Sequence, residues 1–544
     1  MRFLIAGLFL VLSAGATVAE DWPAPRLLHF KPDWDAVNAA LPIMQPPSRT
    51  GDANRLADVT KVASEIFPAV AESPVPVLLP FSNADYASER AVDMAGSPDS
   101  YLSGFQATKF FLAGPTGYDA SFSLHPREVP ELSDIGFADP VVVQISAFNT
   151  LYDLPEPKGA VIQPAREIEK EFPGIRRQIL ESTLRYSFER FGIPYVVSIQ
   201  CYDGGPQRRH RLACRNAERV VHRFLRALRL VGGNPPAAVT ASSPPAVARP
   251  EAQSDAFRFH PAGKLVAGTA MRAQAGDTDK TVYARIRFPA AIAPATVSSQ
   301  KFGRRRASKT QPATEPSNEN AGSVWRDNFC ERRDFYVGQC PSGRGHQGQD
   351  IRGASCDQKN KAGCRPHNDD VVAARDGMIL REAWNDSFFL VTNAAGERLR
   401  FRHLHMHPRK LDDDDIFSGH RVKEGDRLGT ISNYSRRPGL TSTHLHFEIQ
   451  VPTRDGWVRV NPYMTLVASY EHLIRARGTE IEEPLPEPEA AVETGPGEIA
   501  APVVAATAAT VVKVKARGKV KSRAKAKTKP KGKIKGKARG KKRR

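Results

Sequence analysis

In the segment STHLHFEIQV (442–451), the residues from His444 to Val451 alternate polar and apolar side chains without interruption. A period of two belongs to an extended strand, because successive side chains leave it on opposite faces. One face then carries Leu445, Phe447, Ile449 and Val451, which call for an apolar core. The other carries His444, His446, Glu448 and Gln450. A slip of one residue would exchange the two sets, so this segment commits its surroundings to a sheet with one buried face and two imidazoles fixed on the other. Taken alone, it is equally a surface strand that happens to contain histidines.

Two further stretches offer partners. SGRGHQGQDIRG (342–353) sets His346 and Asp350 four residues apart, but Gly343, Gly345, Gly348 and Gly353 argue against a helix, so the pair needs companions from elsewhere in the chain. RLRFRHLHMHP (398–408) also alternates and would align Leu399, Phe401, His403, His405 and His407 on one face. A turn-rich segment, SGHRVKEGDRLGTIS (418–432), follows it.

In this order the pieces are His-x-x-x-Asp, a strand with His-Leu, Gly-x-x-Val-x-x-Gly-x-x-x-Gly, and His-Leu-His-Phe-Glu. They resemble the LytM/lysostaphin-type peptidases, the M23 metallopeptidase family. DDVVAARDGMI (369–379) is similar to the family's Val-x-Ala-x-x-x-Gly hairpin, and NPYMTL (461–466) to its closing segment. The likeness spans residues 280–470. It implies a mainly antiparallel β domain in which His346, Asp350 and His446 hold one Zn²⁺ and His403 and His444 take the positions of the two catalytic histidines. Phe401 stands where the family usually has Tyr, and a cysteine-bearing insertion (354–368) follows the second ligand. Two imidazoles and a carboxylate leave a fourth zinc position open, as catalytic sites require. There is no His-Glu-x-x-His helix to supply a general base, so proton transfer falls to histidines. The resemblance points to peptide cross-links of bacterial peptidoglycan as substrate. A wall-bound regulator without catalysis, or a polyanion-binding protein with a vestigial peptidase domain, are the competing readings. His405 and His407 joining His403 in a second metal site, and a calcium loop at Asp412 to Asp415, are less favoured than loop roles.

The rest of the chain divides by composition. Residues 1–19 have a basic start, an apolar run from Phe3 to Leu12 and small residues before Glu20, which reads as a signal peptide. Residues 20–60 read as irregular and Pro-rich, and 61–234 as an N-terminal α/β domain of unknown function. Within it, PVVVQIS (140–146) and YVVSIQCY (195–202) are expected strands. Ile175, Ile179, Leu180, Leu184, Phe188 and Phe191 recur at helical spacing, as do Val220, Phe224, Leu225 and Leu228. Residues 235–279 form a linker with a possible strand, TVYARIRF (281–288) opens the peptidase-like domain, and 304–322 is a flexible insertion. An acidic Pro/Ala-rich linker (471–510) leads to a Lys/Arg-rich tail (511–544) expected to be disordered.

Export would place the six cysteines in an oxidising compartment, the periplasm of a Gram-negative bacterium being favoured. They allow 15 pairings. Cys201–Cys214, Cys330–Cys340 and Cys356–Cys364 are preferred because each closes a short polar loop, with zinc ligation as the alternative. The tail holds 18 Lys and Arg and no acid, so it accounts for nearly all of the net charge of +19. It lacks aromatic residues to stack on bases, which disfavours nucleic acid in an exported chain and points to anionic envelope polymers or lipid headgroups.

Overall fold

The structure is a computed structural model. It describes residues 22–44, 67–81, 103–203 without 138 and 181, 212–235, 249–264 without 251, 279–299, 324–356, 365–435 without 383–386 and 393–396, and 441–481. The signal segment, the 304–322 insertion and the basic tail lie outside these residues. All of the described residues fall in one compact unit.

The stretch expected to be irregular contains β1 (Leu27–His29) and α1 (Trp34–Met44). Asp33 starts the helix by accepting the Ala36 N–H at 2.9 Å, a cap that the Pro-rich composition concealed. Then follow β2 (Val77–Leu79), β3 (Gln106–Gly114), β4 (Gly117–Leu124), β5 (Val141–Phe148), β6 (Thr150–Tyr152), β7 (Ile162–Pro164), β8 (Arg176–Leu180), β9 (Thr183–Arg190), β10 (Ile193–Gln200), α2 (Cys214–Ala227) and β11 (Arg229–Gly232). Seven of these strands form an antiparallel sheet in the order β3-β4-β5-β10-β9-β8-β7. Both expected strands are present, as β5 and β10. The first of the two helical patterns is instead the β8–β9 hairpin. Leu184, Tyr186 and Phe188 are buried on one side of β9, and Ser182 makes the turn at φ 58°. The second pattern is the helix α2, which covers the apolar face of the sheet. The region is thus an antiparallel sheet with a covering helix, not an alternating α/β arrangement.

The C-terminal half contains β12 (Gln253–Phe259), β13 (Thr296–Val297), β14 (Val324–Trp325), β15 (Gln349–Arg352), β16 (Asp370–Val372), β17 (Gly377–Arg381), β18 (Ser387–Thr392), β19 (Arg400–Leu404), α3 (Pro408–Asp413), β20 (Arg421–Val422), β21 (Arg427–Thr430), β22 (Leu445–Thr453), β23 (Gly456–Val460), α4 (Tyr463–Ile474) and β24 (Arg477–Glu480). The main sheet runs β13-β15-β22-β19-β18-β17-β20, with β23 also paired to β22. Sheet pairing is mostly antiparallel and helices are few. TVYARIRF joins no ladder, because its amides have other acceptors: Tyr283 N–H donates to Thr465 Oγ1 and Arg287 N–H to the Ala374 carbonyl.

The two sheets lie face to face. Leu112, Asp119, Ser146 and Val196 are successive cross-strand partners, so they share one face of the N-terminal sheet. Met378, Val391, Arg400 and Gln450 do the same on the C-terminal sheet. Between these faces, Phe110 and Leu112 pack with Met378, Leu380, Phe389 and Val391, and Phe148 and Leu151 pack with Trp457. At the centre Asp119 is paired with Arg398 at 3.2 Å and Arg400 at 3.0 Å, all three buried. Removing one member of a buried charge group strands the others in a low dielectric. Asp119→Ala is therefore expected to lower unfolding free energy by ~3–5 kcal/mol, measured by denaturant titration. A loss within about 0.5 kcal/mol, the size of an ordinary surface change, would show that the two sheets do not depend on this contact.

Candidate metal centre

The alternating segment 442–451 forms β22 between β15 and β19. Asp350 lies directly opposite His446, and His446 directly opposite Leu404. Opposed residues of an antiparallel pair project from the same face, so Asp350 and His446 meet by register. His346 enters from the loop before β15. Its backbone is held on both sides: its N–H donates to the Glu331 carbonyl, and its carbonyl accepts from Cys330 N–H. The Cys330–Cys340 disulfide closes that loop, Cys201–Cys214 is also formed, and Cys356 is disulfide-bonded. The expected partner of Cys356, Cys364, lies outside the described residues.

Three donor atoms converge. His346 Nε2 is 2.9 Å from His446 Nδ1 and 3.2 Å from Asp350 Oδ1, and His446 Nδ1 is 3.3 Å from Asp350 Oδ1. Donors each ~2.0–2.1 Å from a tetrahedral zinc lie about 3.3 Å apart. The outer nitrogens of both rings are also engaged. His346 Nδ1 faces the Asn328 carbonyl at 2.9 Å, and His446 Nε2 faces Glu448 Oε1 at 3.1 Å. An N–H donated outward to such acceptors leaves the inner nitrogen bare, the tautomer a metal ligand needs. Two bare nitrogens and a carboxylate packed together without a cation would be unfavourable. The donor set therefore fits a divalent metal, and its N₂O composition suits zinc. Among the described residues, this is the group of histidines, cysteines and carboxylates close enough to hold an ion.

Two more imidazoles stand against the three. His444 Nε2 is 3.2 Å from Asp350 Oδ1 while its Nδ1 lies 2.8 Å from the Ser442 carbonyl. The second is His405. Its ring centre is 4.8 Å from that of His444 and 6.2 Å from that of His446, and its Nδ1 lies 3.0 Å from the Tyr434 carbonyl.

His403 is not brought to this group. It sits opposite Phe447 and Phe388, one residue out of step with the His446 row, and so faces the apolar core. Its ring stacks on Phe388 with centroids 4.8 Å apart. The expectation that His403, His405 and His407 share a face fails because β19 ends at Leu404. At His405 the backbone turns left-handed, φ 69°, and swings the ring from the core side back toward His444. The same break keeps the three histidines from forming a second metal group.

Charges follow this geometry. Burial works against ionisation of Asp350, but His444 and His346 outweigh it and hold its carboxyl well below the usual range. Burial likewise disfavours a proton on His446, yet Asp350 and Glu448 keep it above the ordinary value. Burial pushes His405 well below 6.5, with His444 and His446 adding to the effect. It drives His403 down to about 3.

No family model matches the chain, and no curated protein matches it. Among solved structures, a Ruminococcus gnavus protein bearing the name glycyl-glycine endopeptidase LytM is 24% identical over 25% of this chain, with a TM-score of 0.18. The match takes in 49% of that protein, so the chain spans about half its length.

Two outcomes follow. His403 binds a proton near 6.5 when unfolded but only near 3 when folded, so its contribution to stability is present above 6.5 and is lost as the pH falls from there toward 3. His403→Leu should flatten the acid limb of a stability–pH profile by up to about 1.4 kcal/mol per pH unit; an unchanged limb would contradict the core placement. Asp350→Ala should abolish stoichiometric zinc in elemental analysis, and in the unmodified protein zinc affinity should fall as protons reclaim His446, starting above its ordinary 6.5. Zinc retained by the variant would remove Asp350 from the ligand set.

Proposed function

We propose that this chain is an exported zinc metalloendopeptidase that hydrolyses peptide cross-links of bacterial peptidoglycan. The observation carrying this reading is the convergence of His346 Nε2, Asp350 Oδ1 and His446 Nδ1, with His405 and His444 set against them on backbone anchors. The likeness of the ordered motifs to M23 peptidases supplies the substrate class. A zinc ion held by those three residues would supply Lewis-acid polarisation of a peptide carbonyl and of water.

The chain's own residues handle the protons. Amide hydrolysis requires one group to accept a proton from the attacking water and another to deliver one to the leaving amine nitrogen. His405 and His444 each have Nδ1 against a carbonyl oxygen, which fixes the ring and turns Nε2 inward as the proton-transferring atom. His405 thus takes the place first expected for His403. The buried position of the donors limits competing water, and the disulfide-closed loop keeps His346 in place.

Location is part of the same proposal. The signal-like start and the bonded cysteines support an oxidising compartment, the periplasm being favoured. No helix among the described residues is long and apolar enough to cross a membrane. The basic tail would tether the enzyme to anionic envelope polymers or lipid headgroups, binding that weakens with salt.

The test uses the secreted chain on purified sacculi, with release of uncross-linked muropeptides as the readout. His405→Ala is expected to retain zinc and lose roughly 10²–10⁴-fold in turnover, the range for loss of a proton-transfer group. His403→Leu should retain both zinc and turnover. Loss of activity in the His403 variant with none in the His405 variant would reverse the assignment, and a zinc-loaded parent protein that releases nothing would remove the peptidase reading.

A further inference from the structure

Behind the metal group lies a second set of charges with no assigned task. Glu448 is fully buried two residues beyond His446 on the same face of β22. Its Oε1 lies 3.1 Å from His446 Nε2 and 2.8 Å from Arg402 Nη1. Its Oε2 accepts from Arg459 Nε at 2.7 Å and from Gln450 Nε2 at 3.2 Å. Arg402 in turn holds Glu382 at 2.7 Å. Two carboxylates thus alternate with two guanidiniums across β22, β19, β23 and the end of β17. The set is neutral, and of its four members only Arg402 keeps partial contact with solvent. A buried carboxylate is expensive unless it is fully partnered, and here both oxygens are spoken for.

We propose that Glu448 is a positioning residue of the metal centre: clamped by Arg402 and Arg459, it holds the His446 ring with Nε2–H outward and Nδ1 aimed at the ion. This rests on the metal reading given above. Without that acceptor the imidazole is free to place its proton on either nitrogen and to rotate about its side-chain bonds, and one of the three donors is then correctly presented only part of the time. Register explains why this residue can do the work. Glu448 stands directly opposite Arg402, so the same pairing that brings His446 to Asp350 brings the carboxylate to its clamp.

The test compares metal affinity in the full secreted chain for the parent, Glu448→Met, and the double variant Glu448→Met/Arg459→Met. The double variant removes one charge of each sign, so the remaining Glu382–Arg402 pair stays balanced and a folding defect of the single variant does not decide the matter. Zn²⁺ affinity is read by competition with a chromophoric chelator, and ligand geometry by the visible absorption of Co²⁺-loaded protein. Unfolding midpoints of the metal-free proteins serve as the folding control. A 10–100-fold loss of Zn²⁺ affinity with an altered Co²⁺ spectrum is expected in whichever variant keeps the parent's metal-free midpoint. Parent-like affinity and spectrum in a folded variant would overturn the proposal, leaving Glu448 a purely structural charge. A parent protein that takes up neither ion would instead overturn the metal reading beneath it.

Discussion

The candidate metal centre depends on one alignment, the antiparallel register of β22 between β15 and β19. Asp350, His446 and Leu404 form one cross-strand row, while Gln349, Phe447 and His403 form the next. Hydrogen-bond pairing fixes which residues are opposite, and the pleat fixes which face they share. Moving β22 by one residue would bury His446 among the aromatics and expose Phe447 to Asp350. The apolar demand of Leu445, Phe447, Ile449 and Val451, all fully buried, holds the register against that slip. Hydrophobic burial therefore positions polar side chains that contribute nothing to it.

Charge enters the same sheet at two places and is managed in the same way at both. Asp119 balances Arg398 and Arg400 where the sheets meet, and Glu448 with Glu382 balances Arg402 and Arg459 behind the metal group. Arginine suits these positions because its planar fork satisfies several acceptors at once while the stem packs against apolar neighbours. Arg400 illustrates this: besides its ion pair it lies 4.2 Å over the Trp457 ring. The N-terminal sheet and the sheet carrying the His346–Asp350–His446 group are consequently continuous in packing and electrostatics.

Strict alternation was the most legible signal. It located β22 and put His444, His446 and Glu448 on one side; it was the resemblance to M23 peptidases that named His346, Asp350 and His446 together, the three residues the fold brings into one group. The same signal misled at 398–408, where it was extended past the end of a strand. A left-handed residue at position 405 leaves no trace in a pattern of polar and apolar letters, so the pattern keeps His403 and His405 on one face where the fold sets only His405 beside His444. Residues 175–191 show another limit. Their apolar spacing admits either period, and it was the tertiary need of the sheet for two more strands that decided. Asn328, which receives the outer nitrogen of His346, has no local signature; only the fold brings it there. Of the expected disulfides, Cys201–Cys214 and Cys330–Cys340 were readable because short polar loops bring cysteines into range.

The contact between Asp119 and Arg398 joins residues 279 positions apart. Such a closure comes late in folding, since loop entropy must be overcome before a contact this distant brings any stabilisation. A chain emerging from its N-terminus completes the first sheet long before the second exists. Until residues near 400 arrive, the face bearing Asp119, Ser146 and Ser187 has water for a partner, which suits these polar groups but not Phe110, Leu112 and Phe148 beside them. Those apolar side chains wait uncovered for the whole interval, so the docking of the second sheet also ends an exposure of the first.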